Sequence, residues 1–131
     1  VGNLAGLYKS QGRYEEAEPL YLRVLEAFER TLGEDHPHTF VTVNNLAWFR
    51  LESAFANPRT LFSRLIAAWS DPTDWTYHWA RLGLALCDVI DGANVSVAEA
   101  VIDDLIALLG EDHDRINSGR EKIAKVVVRL K

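Results

Sequence analysis

One recurrence constrains this chain more than its composition does. Asn3-Leu4-Ala5 returns as Asn45-Leu46-Ala47, an offset of 42 residues (45 − 3). A period of that length holds a helix, a turn, a second helix and a connector, and it marks an array of like units rather than one closed core. The stretch from Asn3 to Pro37 shows what the unit is. Leu4, Leu7 and Tyr8 open an apolar run that Gly12 breaks, and a second series follows at Tyr14, Ala17, Leu20, Tyr21, Val24, Leu25, Phe28 and Leu32. Spacings of three, four and seven are those of a helix stripe. A two-helix hairpin leaves apolar surface uncovered, so a chain that repeats it is expected to stack the copies into an all-α, helical-hairpin solenoid.

The same punctuation divides the rest of the chain. Gly33 ends the second series, and Asp35 with Pro37 reads as a cap and first-turn proline for a third helix over Pro37 to Leu51, with Phe40, Val43, Ala47 and Leu51 on one side. Pro19 conflicts with a helix interior, which places helix onset at Tyr14 or Glu15. The second copy then decays: Ala54 stands where the period expects Gly12, and Arg59 where it expects Ala17. Asn57-Pro58 starts a fourth helix through Leu61, Phe62, Leu65, Ile66 and Trp69, closing at Ser70. Asp71-Pro72-Thr73-Asp74 reads as cap, first-turn proline and third-position acid for a fifth, whose stripe of Trp75, Trp79, Leu82, Leu86 and Val89 is widened by Ala80, Leu84 and Cys87. Ser96 and Glu99 read as a capping box for a sixth helix ending at Gly110. Leu109-Gly110-Glu111-Asp112-His113 repeats Leu32-Gly33-Glu34-Asp35-His36, and Ile123-Ala124 of a seventh helix falls on Leu46-Ala47 at the same offset of 77. The expected organisation is one solenoid of about seven antiparallel helices: repeat 1 over 1–36, a degenerate repeat 2 over 37–70, a partial repeat 3 over 71–113 and a half-repeat helix over 114–131.

Composition narrows function by exclusion. A net charge of −5 lacks the Lys and Arg excess that non-specific nucleic-acid binding rests on. The single cysteine, Cys87, permits no intrachain disulfide and no Cys-rich zinc site; it sits among Leu and Ala as a buried thiol and agrees with a reducing, cytoplasmic setting. The apolar run from Trp75 to Ile90 is broken by His78, Arg81 and Asp88 and is short for a bilayer, so no membrane association is expected. The chain opens inside a helical pattern and has no methionine, which reads as a fragment of a longer protein.

Asn3-Leu4-Ala5, Tyr8, Gly12-Arg13-Tyr14-Glu15-Glu16-Ala17-Glu18-Pro19-Leu20-Tyr21 and Leu32-Gly33-Glu34-Asp35-His36-Pro37 resemble tetratricopeptide repeats of the kinesin light chain type. The resemblance is specific over Val1 to Ala47, a trace over Phe49 to Ser70 and partial from Leu84 to His113. It implies a right-handed superhelix whose first helices line a groove for a peptide or partner segment. Carried over residue by residue, it places Asn3 and Asn45 at the groove-facing asparagine position, with Lys9, Asn44, Trp48 and Glu52 on other groove-facing positions. The third copy departs, because Gly83 replaces the asparagine and Leu86, Val89 and Ile90 follow. Either the groove turns apolar there or those residues are buried by altered packing.

Other chemistry is not indicated. His36, His38 and His113 lie in separate connectors without the helical spacing of a zinc site, and no metal, cofactor or small-molecule substrate is expected. No nucleophile motif or phosphate loop appears, and the acids Glu15, Glu16 and Glu18 read as a solvated run, so no enzymatic activity is expected. Trp69 and Trp79 read as core, whereas Trp48, beside asparagines, fits core or peptide anchor equally. The basic residues of the last helix read first as a solvated face and second as a site for an acidic partner or nucleic acid. The leading functional reading is a non-catalytic interaction module that binds a protein or peptide. The alternative is an oligomerisation or regulatory sensor segment of a larger signalling protein, such as a nucleotide-dependent switch, with self-association as its mark.

Overall fold

The structure is a computed structural model that describes residues 2–53 and 57–131, with side chains described from residue 6 onward. Among the described residues there are seven helices and no strand: α1 (Gly2–Ser10), α2 (Tyr14–Leu32), α3 (Pro37–Ser53), α4 (Arg59–Ala68), α5 (Trp75–Ile90), α6 (Ser96–Leu109) and α7 (Asp114–Leu130). They fall into two compact units, residues 1–61 and 62–131.

In the first unit α2 packs against both α1 and α3. Ala17 and Leu25 of α2 are buried, as are Val43, Leu46, Ala47, Phe49 and Leu51 of α3, whereas Phe40 is half-buried. Phe49 anchors the contact: its ring lies 4.8 Å from that of Tyr21 and 5.9 Å, edge-on, from that of Tyr14. Full burial of a phenylalanine removes its whole side chain from water, and truncation to alanine costs roughly 3–5 kcal/mol. Glu18 departs from expectation. It is not part of a solvated run, since it is 7% exposed, because the α2 face that buries Ala17 also turns Glu18 toward α3. There Arg50 donates from Nε (2.8 Å) and Nη2 (2.5 Å) to Glu18 Oε1. A buried carboxylate survives only when paired in this way. Pro19 sits within α2 on exposed backbone four residues after exposed Glu15, so the ladder bond it removes lies on the solvent side.

In the second unit α5 packs on α6 and α7, and α6 on α7. Phe62, Leu65, Leu82, Leu86, Leu105 and Ile116 are fully buried, and Trp79 and Cys87 nearly so; Trp69 is half-buried just past α4. Two glycines mark close approach. A Cβ on Gly83 would fall within 3.0 Å of three Phe62 ring carbons, and one on Gly119 within 3.0 Å of the Ile102 methyl.

The connectors explain the repeated Leu-Gly-Glu-Asp-His. Gly33 (φ +94°) and Gly110 (φ +91°) terminate α2 and α6, each N–H bonding back to Glu29 or Ile106 carbonyl, in a region that side chains other than glycine rarely enter. The cap of the next helix is histidine rather than the Asp35 expected. His36 Nδ1 accepts from His38 N–H, and His113 Nδ1 from Arg115 N–H, both at 3.1 Å. Two of the remaining start signals also shift. Asp71 closes a turn with Pro72 at its second position: Asp74 N–H bonds the Asp71 carbonyl, and Asp71 Oδ1 accepts from Thr73 N–H and Oγ. The Thr73 hydroxyl and then its N–H hold the Asp71 carboxyl below its ordinary value. Asp74 is the cap, accepting from Thr76 N–H. The capping box at Ser96 does not form, because Asn94 takes the Ser96 N–H two residues earlier (2.9 Å). In each case a polar side chain finds backbone N–H groups locally; at α3 this changes which residue caps the helix and leaves its start at Pro37, while at α5 and α6 it moves the start itself.

Candidate functional site

The exposed side of α3 is one narrow row. His38, Val41, Asn45 and Glu52 recur at three, seven and fourteen residues, which places them within about 60° of one another at 100° per residue. His38, Val41 (52%) and Asn45 are exposed, and Glu52 is half-buried. The row exists because the opposite side of α3 carries the unit's core.

Glu52 is joined to α1 by an ion pair, Lys9 Nζ to Glu52 Oε2 at 2.9 Å. Beside them lies Tyr21 of α2, whose phenol burial pushes upward; Lys9 opposes that shift and Glu52 adds to it. Three helices therefore meet at one cluster, with Tyr21 packed on Phe49 beneath. At the other end of the row the His38 ring stacks on His36 (5.2 Å) and Phe28 (6.3 Å). The surface so formed is close to neutral, because its one cation and one anion compensate each other. It offers an amide with donor and acceptor, a small aliphatic group and an imidazole, which suits hydrogen bonding to a peptide main chain better than capture of a charged group.

The sequence-derived positions divide across this geometry. Lys9 and Glu52 are brought together, and Asn45 stands exposed on the row with Glu52. Asn44 is half-buried, its Oδ1 enclosed and without a hydrogen-bond partner among the described residues. Trp48 is 5% exposed and belongs to the packed layer behind the row. The Asn3 side chain and the counterpart of Gly12, Ala54, lie outside the described residues. Sequence reasoning passed over Val41, His38 and Tyr21. Val41 and His38 precede Asn45 by four and seven residues, so helical spacing from Asn45 would have found them.

The second unit does not repeat the row. Gly83, at the asparagine position, is buried against Phe62, and Leu86 and Val89 are buried while Ile90 is half-buried. Of the two alternatives for the third copy, burial is the one found. Among the described residues no cluster of three or more His, Cys, Asp or Glu is placed to hold a metal ion, and no helix is long and apolar enough to cross a membrane.

Residues 2–38 match the family model of the tetratricopeptide repeat. The match spans α1, α2 and the connector to α3, the hairpin that carries Lys9, Tyr21 and the Glu18 of the buried pair. The fold is all-α and tetratricopeptide-like; tetratricopeptide repeats, which the matched segment resembles, generally mediate protein–protein interaction and are typically non-catalytic.

Proposed function

We propose that this chain is a non-catalytic interaction module that binds a peptide or partner segment along the row on α3 and its junction with α1. On this reading residues 1–131 form one solenoid of the kinesin light chain type, working in the cytoplasm, and Asn3, Lys9, Asn44, Asn45, Trp48 and Glu52 belong to the groove, with Trp48 and Asn44 behind its surface. The observation that carries the proposal is the exposed Asn45 amide on a helix otherwise built for packing, next to an ion pair that is neutralised internally. An amide without a hydrogen-bond partner among the described residues has its donor and acceptor available for a ligand.

The test is selection of random peptides displayed on phage against the chain, followed by synthesis of an enriched peptide. Asn45→Ala is expected to weaken that peptide about tenfold, as loss of two ordinary hydrogen bonds implies, while the thermal midpoint stays unchanged. Unaltered affinity, or a midpoint that falls along with the affinity, would make Asn45 a structural residue and overturn the proposal.

A further inference from the structure

The geometry points to a second interaction surface, on α7, that takes an amphipathic helix with an acidic flank. Laying Ile123-Ala124 over Leu84-Ala85 relates α7 to α5 by 39 residues (123 − 84). On α5 the row Arg81, Ala85 and Val89 runs at intervals of four along one side. Ala85 and Val89 are 8% and 5% exposed, and Arg81 Nη1 donates to Asp104 Oδ2 of α6 at 2.9 Å. At one end of the row, on a helix that packs on α6, Arg81 thus meets an acid of α6.

The equivalent row on α7 is Arg120, Ala124 and Val128. Here Ala124 is exposed and Val128 is 68% exposed, with Leu130 at 49% beyond it. Arg120 meets Glu111 at 3.5 Å, the two side chains being about half exposed and mostly exposed, and lines an open cleft with Glu99 and Asp103 of α6. Asp114–Lys131 holds six Lys or Arg against two Asp or Glu in a chain whose net charge is −5. The α5 row shows what chemistry such a surface accepts: a helix with an aliphatic stripe and an acid placed to meet the arginine. Two flanking positions differ, since Leu82 and Leu86 of α5 correspond to Glu121 and Lys125 of α7. The apolar strip is therefore narrower and edged with charge, the make-up of an exchangeable contact rather than a permanent one. Exposed aliphatic groups beside the cations favour such a helix over a phosphate backbone, which would use the cations alone.

The probe is a labelled peptide of residues 94–110, which contains α6, titrated into the intact chain and followed by fluorescence anisotropy. Saturable binding is expected, weakened about tenfold or more by Val128→Asp and by Arg120→Glu, and recovered for Arg120→Glu when the peptide carries Asp104→Lys. Both chain positions are exposed, and circular dichroism checks that the variants keep their helix. Binding that Val128→Asp leaves intact would locate the peptide on α5 and overturn the proposal. So would an absence of binding, a duplex DNA that binds where the peptide does not, or a Val128-dependent dimer of the chain in place of peptide binding.

Discussion

Gly83→Ala is the substitution whose outcome the packing sets most sharply. In an unhindered helix interior, alanine is favoured over glycine by about 1 kcal/mol. At position 83 the added methyl would enter the volume of the Phe62 ring, within 3.0 Å of three of its carbons. Phe62 is 0% exposed, so the ring cannot swing out into solvent and must move against buried neighbours, and inserting a methylene-sized group into a packed core costs about 1–3 kcal/mol. With three ring atoms in the way the upper end applies. Against the propensity gain, the net expectation is a loss of about 2 kcal/mol. A double-mutant cycle isolates the cause. In a Phe62→Leu background the smaller side chain leaves room, so Gly83→Ala should there be neutral or stabilising by up to about 1 kcal/mol, a coupling of about 2–3 kcal/mol. Urea unfolding monitored by circular dichroism and tryptophan fluorescence gives the four stabilities. A Gly83→Ala chain more stable than wild type, or equal effects in the two backgrounds, would refute the reasoning.

Two further outcomes follow from the connectors and the α1–α3 junction. His113→Ala is expected to lower stability by about 1 kcal/mol through loss of the acceptor for Arg115 N–H, while His113→Asp, the residue type that caps α5 at Asp74, should retain or exceed wild-type stability in the same urea assay. Because burial holds the Tyr21 phenol above its ordinary value, the folded state keeps that proton more tightly than the unfolded chain. Its contribution is full below the usual phenol range near 10 and is lost as pH rises through the folded value. The alkaline fall in stability should therefore be shallower in Tyr21→Phe, and an identical fall in both chains would remove Tyr21 as its source.

Helix existence and order were legible because they rest on local periodicity. Val43, Ala47 and Leu51 read as one face and are buried together, and Cys87 is the buried thiol that its neighbours imply. Helix starts were less legible, since Asp71, Asn94 and His36 each compete for the same few backbone N–H groups and the winner depends on turn geometry. The candidate site was legible in part. Asn45 stands out as a polar residue on a packing helix, yet nothing local distinguishes it from Trp48, three residues on, which is buried.

By itself the sequence determined the hairpin period, the glycines that must enter positive φ at the ends of α2 and α6, and the absence of a recognisable catalytic motif. These are properties of the chain's own neighbours within a few residues. The tertiary structure alone decided that Glu18 is buried, because only Arg50, 32 residues away, makes its charge tolerable. It also decided that the asparagine position is open on α3 and closed on α5. A helix can rotate any face toward its partners, so exposure is set by which side chain arrives opposite, and at Gly83 that side chain is Phe62.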